Sequence, residues 1–163
     1  MKIKNRHRLK SRDIRNLEEQ INSVFNNISF DPKSVFEVGE LEGQKIVFID
    51  GQPCFFYVDD LIVFTLHGIE KFKPKNNYVV VDMGAVKFVT NGADVMAPGI
   101  VDADTNIKAD DPVWICDERH HKPLAVGIAV MKGEEMKKAD KGKSIKLVHY
   151  VGDMIWSFVA KSL

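Results

Sequence analysis

The sequence predicts an α+β protein of two small domains, a small α/β unit with a helix laid on a mostly antiparallel sheet, followed by a closed β-barrel. Three observations carry this. An apolar stripe with helical spacing occupies the first thirty residues. A series of short β-rich runs with a hairpin signal follows it. After a polar, proline-containing segment near residue 74, a second and longer series of short strands begins. Residues 1–76 are therefore assigned to the first domain and residues 77–163 to the barrel. A chain of 163 residues is long enough for both, because domains of ~50 residues and upward fold on their own.

The elements follow in order. Ser11 is placed to cap a helix in which Ile14, Leu17, Ile21 and Val24 recur at helical spacing, with Phe25 and Ile28 extending the stripe. Arg15 and Glu19, four apart, form a supporting pair on its other side. Past Asp31-Pro32 the pattern turns to β: Val35 to Leu41, Lys45 to Ile49, Cys54 to Val58 and Leu61 to Leu66. Asp50-Gly51 marks a tight hairpin between the second and third of these. The polar segment Glu70 to Asn77, with Pro74 inside it, is the boundary. Beyond it come Tyr78 to Asp82, a short helix, and strands at Ala93 to Met96, Val113 to Asp117, Leu124 to Met131, Ile145 to Tyr150 and Ile155 to Ala160. Gly133 to Lys141 reads as one exposed helix. Many short strands separated by turns suit a closed barrel, which leaves no unpaired edges.

Composition narrows the functional classes. Lysine plus arginine equals aspartate plus glutamate, at 23 each, so the total charge advertises no polyanionic partner. The distribution is uneven. Lys2, Lys4, Arg6, Arg8, Lys10, Arg12 and Arg15 crowd the first fifteen residues against Asp13 alone, and Lys132 to Lys146 holds a second basic cluster. Acidic residues gather between Asp102 and Glu118. A polyanion meets the local field rather than the total, although most charge runs are solvated faces. Cys54 and Cys116 are far apart and form no metal or disulfide framework, which fits a reducing compartment. No apolar run approaches the ~20 residues needed to span a bilayer, and the basic N-terminus lacks a signal-peptide core. The expectation is a soluble, cytoplasmic protein without membrane association.

The segment from Asp82 to Ile100 is the most informative. It reads as strand, short helix, strand. Gly84 permits a tight turn, while Ala85, Phe88 and Val89 share the helix face expected to seal the barrel. Lys87 and Asn91, four apart, point away from it. Asn91-Gly92 supplies the left-handed termination such a helix needs. Gly92-Ala93 leaves a strand start with almost no side chain, where another backbone can approach. An exposed lysine and asparagine beside a ledge of small residues suit a phosphate or an unstacked base. The turns alone account for the glycines equally well.

The run Gly84-Ala85, six residues, Gly92-Ala93-Asp94-Val95-Met96-Ala97-Pro98-Gly99-Ile100 resembles the opening signature of the PUA domain, named after pseudouridine synthases and archaeosine transglycosylases. Leu124 to Ala129 resembles that family's later glycine-containing strand, and Lys141-Gly142-Lys143 its following turn. His149-Tyr150 and Asp153-Met154-Ile155-Trp156 resemble the close of one subfamily, whose N-terminal domain is similar to Ile46 to Phe56 here. That subfamily joins a small pre-PUA domain to a C-terminal PUA barrel. It includes archaeal proteins and the malignant T-cell-amplified-sequence proteins, translation factors that act with density-regulated protein.

The resemblance implies RNA binding (rRNA or tRNA) and association with the small ribosomal subunit or initiator tRNA, with a density-regulated-protein-like partner as a further candidate. The RNA-contact positions it implies are Gly84, Lys87, Asn91, Gly92, Ala93, Asp94 and Met96, joined by His149 and Tyr150. Lys87 would neutralise a phosphate, Asn91 read a base or sugar edge, and Tyr150 stack on an unpaired base. Asp94 departs from the charge suited to phosphate contact.

An enzyme is not expected. Cys116, Asp117, Glu118, His120 and His121 cluster at what reads as a hairpin tip, without the spaced ligand pairs of a zinc site. Asp59-Asp60 and Asp110-Asp111 are adjacent pairs whose members point apart in a strand. No phosphate-loop or nucleophile-elbow motif occurs, and no cofactor is expected. Two alternatives stand: an accessory tRNA-binding subunit of an RNA-modifying enzyme, and a protein-interaction module using Phe55-Phe56-Tyr57 or Leu61 to Phe64. Those residues also suit the two faces of a buried sheet.

Overall fold

A computed structural model describes residues 2–162. The N-terminal half is a five-stranded antiparallel sheet in the order β1 (Lys4–Arg8), β2 (Phe36–Leu41), β3 (Gln44–Ile49), β4 (Gln52–Val58), β5 (Leu61–Phe64). Turn chemistry sets its register. Asp50 and Gly51 both have positive φ, 51° and 82°, as a type I′ turn requires, and Glu42-Gly43 repeats the arrangement between β2 and β3. Asp59 of the adjacent acidic pair takes φ 54° in the β4–β5 turn.

Helix α1 (Ser11–Val24) buries Leu17 and Ile21, with Phe25 and Ile28 continuing the stripe. Ser11 is its first residue and Lys10 occupies the cap without a side-chain bond, so the helix starts one residue earlier than the serine signal implied. The expected Arg15–Glu19 ion pair is absent from the salt bridges of the described residues. Packing of the apolar face, not surface pairing, holds this helix.

Adjacent Phe55 and Phe56 are both about 1% exposed or less, because the sheet is covered on both sides. Phe55 stacks with Phe72 and meets Phe64 at a tilt on one face, where Phe25 also meets Phe64. Phe56 meets His149 on the other. These aromatics fill two buried faces rather than offering a patch. Helix α2 (Leu66–Phe72) is capped by Thr65, whose hydroxyl accepts from Gly68 N–H.

The segment after α2 is no slack linker. Asn77 is buried, its N–H donating to Asp104 at 2.7 Å and its side-chain amide to the Pro112 carbonyl at 2.8 Å. The Trp114 indole donates to the Asn76 carbonyl. The second sheet follows in the order β7-β11-β10-β9-β6-β8, a nearly closed barrel in which only β6 and β9 pair in parallel. Its strands are β6 (Tyr78–Val81), β7 (Val95–Met96), β8 (Ile100–Ala103), β9 (Pro112–Asp117), β10 (Pro123–Ala129) and β11 (Lys143–Tyr150). Helix α3 (Met83–Val89) closes one end.

Two further sequence expectations are corrected. Gly133 to Lys141 is not an exposed helix: only Gly133–Met136 is helical (α4), and Met136 is buried because Gly133 lies against the Asp104 carbonyl, where a Cβ would come within 2.0 Å. Ile155 to Ala160 is not a barrel strand. Met154–Ser162 is a helix (α5), its start held by Asp153, whose carboxylate accepts from Trp156 N–H at 2.8 Å. Ile155 and Val159, one turn apart, are buried, and Phe158 meets Phe48 of the first sheet. The chain thus ends by packing back onto the N-terminal half. Among the described residues no helix is long and apolar enough to cross a membrane.

Candidate nucleic-acid interface

The segment from Asp82 to Gly99 builds a groove of roughly 480 Å³ on the outside of the barrel, lined by α3, β7 and the 3₁₀ turn Ala97–Gly99. Asp82 caps α3 by accepting from Ala85 N–H at 2.8 Å. The helix then turns Val86 and Val89 toward the core. Phe88 was expected to seal the barrel with Ala85 and Val89, but it is 57% exposed and forms a groove wall instead. On a two-turn helix the core face is narrow, and Val86 and Val89 occupy it. Met96, 49% exposed, lies across the same groove, as does Pro98.

The strand after the helix explains the small residues and the acid. Residues 92–96 run antiparallel along β11, but only Val95 and Met96 pair with it as backbone, opposite Ile145 and Lys143. Farther along, Leu147 N–H donates instead to the Asp94 carboxylate at 2.8 Å. The other Asp94 oxygen takes Lys143 Nζ at 2.8 Å. The hydrogen bond from Lys143, aided by Leu147 N–H, holds the Asp94 carboxyl below the usual range despite partial burial. Asp94 therefore completes the sheet, and the lysine offsets its charge at the groove rim. Gly92, at φ +87°, lies under the Tyr150 ring, where a Cβ would come within 2.8 Å. A backbone was expected to approach this glycine, but the Tyr150 side chain does so instead.

The nine sequence-derived positions divide accordingly. Gly84, Ala93, Asp94 and Met96 line the groove. Lys87 stands at its margin, with Nζ 5.2 Å from the Phe88 ring centroid. Asn91 is exposed, and its amide donates to the Lys87 carbonyl at 2.8 Å, closing the helix end. Gly92 and Tyr150 pack against each other and are not among the groove-lining residues.

His149 lies elsewhere. It is 1% exposed, and its Nε2 accepts from Leu66 N–H at 3.1 Å. Nδ1 must then carry the proton, which it donates to Asp153 at 2.9 Å. Burial raises the Asp153 carboxyl, but the hydrogen bond from His149 and those from Trp156 and Tyr150 N–H outweigh it and hold the group below its ordinary range. This ring joins the two halves of the molecule and lies apart from the groove. No local pattern marked it, since Asp153, its partner four residues on, looks like any turn aspartate. Phe88 was assigned to the barrel seal and Pro98 to no contact, because no local pattern separates a groove phenylalanine from a core one.

The Cys116–His121 cluster is occupied by its own turn. Asp117 accepts N–H groups from Arg119, His120 and Lys122, the bond from His120 contributing most to lowering its pKa. Burial pushes the Cys116 thiol up to about 12. Among the described residues, no three His, Cys, Asp or Glu side chains are grouped to hold a metal ion.

Comparison with known proteins adds family relationships to this geometry. A PUA-domain profile matches residues 77–151, and one for a domain of unknown function, DUF1947, matches residues 5–72. An uncharacterized protein of Methanocaldococcus jannaschii is 48% identical over 97% of this chain and 99% of its own length. Translation machinery-associated protein 20 of Saccharomyces cerevisiae is 35% identical, over 77% of this chain and 74% of its own. Malignant T-cell-amplified sequence 1-A of Xenopus laevis is 31% identical, over 69% and 64%. The crystal structure of a hypothetical protein from Pyrococcus horikoshii superposes with a TM-score of 0.84 at 35% identity, covering 94% of this chain and 99% of that one.

Proposed function

The chain belongs to the proteins that join a DUF1947 region to a C-terminal PUA domain, the family of translation machinery-associated protein 20 and malignant T-cell-amplified sequence 1, and on that premise we propose that it is a translation-associated RNA-binding protein whose groove between α3 and β7 receives an unpaired nucleotide. The observation that carries this is the exposed pair Phe88 and Met96 facing one groove beside Lys87. An aromatic or thioether face takes a base without regard to sequence, and a rim cation takes its phosphate. The RNA is read as small-subunit rRNA or initiator tRNA in the cytoplasm, with a partner resembling density-regulated protein as the protein contact. A binding role also suits the acids of the groove. Asp82 caps a helix and Asp94 completes a sheet, so neither is placed to move a proton.

The test is crosslinking in native extract, followed by sequencing of the bound RNA, for wild type beside Lys87→Glu/Phe88→Ser. Both side chains are exposed, so the variant folds. Recovery of small-subunit rRNA or initiator tRNA, reduced at least tenfold in the variant, is expected of roughly one lost stack and one lost phosphate contact. Equal recovery from the two proteins would remove the groove from the RNA-binding surface. Enrichment of a protein partner without RNA would favour an interaction module.

A further inference from the structure

The zero net charge conceals a division of the molecule. Residues 2–15 hold seven cations and one carboxylate, a local charge of +6, which leaves −6 on the rest of the chain. The fold makes this segment a fixed surface. β1 is the edge strand of the first sheet, its five residues all exposed, and the chain enters α1 only two residues later. Arg6 is committed to structure: its guanidinium holds both oxygens of Glu37 and lies 4.2 Å from the Phe48 ring centroid. Arg8 stands opposite Glu37 in the ladder, but that carboxylate is already taken by Arg6.

Lys2, Lys4, Arg8, Lys10, Arg12 and Arg15 are exposed, and none takes part in a salt bridge among the described residues. Cations on an edge strand discourage unwanted pairing, which accounts for Lys4 and Arg8. It does not account for α1. Lys10 and Arg12 occupy the cap and first turn of that helix, where the macrodipole disfavours positive charge. Six unpaired cations, two of them placed against local helix stability, suit a polyanion laid across them. β1 alone extends roughly 17 Å, room for several phosphates of a single strand.

We propose that the β1–α1 strip is a second RNA-contact surface, gripping the phosphate backbone while the barrel groove holds a base. The proposal rests on the chain being an RNA-binding protein but not on the groove, with which the strip shares no lining residue. The strip supplies affinity without sequence preference, and the groove supplies selection.

The experiment measures the binding of full-length protein to a fluorescein-labelled tRNA transcript across a salt series. Compared are wild type, a strip variant (Arg8→Gln, Lys10→Gln, Arg12→Gln, Arg15→Gln) and the groove variant Phe88→Ser. Each phosphate contact removed lowers the slope of log affinity against log salt by ~0.7–0.9, so the strip variant is expected to lose about 3 units of slope and more than tenfold in affinity near physiological salt. Phe88→Ser is expected to lose affinity at unchanged slope. Thermal melting controls for folding, and neutralising cations at the start of α1 is not expected to lower the Tm.

Wild-type slope and affinity in the strip variant would overturn the inference and leave the groove reading standing. An impaired strip variant beside an unimpaired Phe88→Ser would do the reverse. Wild type that binds no RNA would end both. Labelled poly-glutamate is titrated in parallel, and its loss of binding to the strip variant with RNA binding intact would assign the strip to an acidic protein partner and overturn the proposal.

Discussion

Asp94 and Asp153 both grip strand β11, one near each end, under opposite conditions. Asp94 accepts from Leu147 N–H and pairs with Lys143 at 2.8 Å, its side chain 30% exposed and the lysine's 50%. Asp153 pairs with His149 at 2.9 Å, with the two side chains 14% and 1% exposed, and it also caps α5. At the open end the pair is screened by water, and its loss costs little. At the buried end the two partners compensate each other for leaving water, together with the Trp156 and Tyr150 N–H groups on Asp153, and His149 further satisfies Leu66 N–H from the first half of the chain. The strand thus divides its labour. Its His149 end holds the two halves together, and its Lys143 end borders the groove, where charge can change without endangering the fold.

The largest effect should come from breaking the buried end. His149→Ala orphans Leu66 N–H, strips Asp153 of its side-chain donor and opens space beside Phe56, for a loss of about 3 kcal/mol in urea unfolding. RNA affinity measured well below the melting temperature should be unchanged. A loss of affinity in the folded variant would show that the two ends are coupled.

Acid sharpens the same contrast. Because the folded-state pKa of Asp153 is depressed, its contribution is complete above the unfolded value of about 3.9 and is lost as pH falls through the lower folded value. Melting curves of wild type and Asp153→Asn should therefore converge as pH drops below ~4. A constant gap down to pH ~2 would mean that the carboxylate charge plays no part.

The smallest effect belongs to the open end. Asp94→Asn keeps an oxygen for Leu147 N–H and removes only the ion pair, so stability should change by less than about 1 kcal/mol. Freed Lys143 should instead steepen the salt dependence of RNA binding by up to ~0.9 units. A melting temperature several degrees lower would show that the exposed pair carries structural weight after all.

Much of the fold was legible because its signals are local. Leu17, Ile21 and Phe25 declare α1 by spacing alone, and Asp50-Gly51 declares its hairpin because few residue pairs tolerate two positive φ values. The groove was legible as a segment, with Gly84, Ala93 and Met96 all in place, but not as a shape. The segment 155–160 was misread because isoleucine, tryptophan, phenylalanine and valine favour strands, and the Asp153 cap that overrides them looks like any turn aspartate. Gly133 to Lys141 looked like a solvated helix, whereas burial of Met136 against the barrel ends the helix after one turn.

By itself, the sequence determined helix α1, the strands β2 to β5, the tight turns, the two-part α+β architecture and the stretch of chain that forms the groove. These depend on periodicity and backbone preference within a few residues. Only the tertiary structure decided that Phe88 faces outward, that Asp94 substitutes for a missing strand residue and that His149 is a tie between halves. Each of these outcomes depends on a surface supplied from elsewhere in the chain, as when His149 meets Leu66 across 83 residues. No local pattern can state which apolar or polar group will be covered by an element that distant, because burial is a property of the assembled layers.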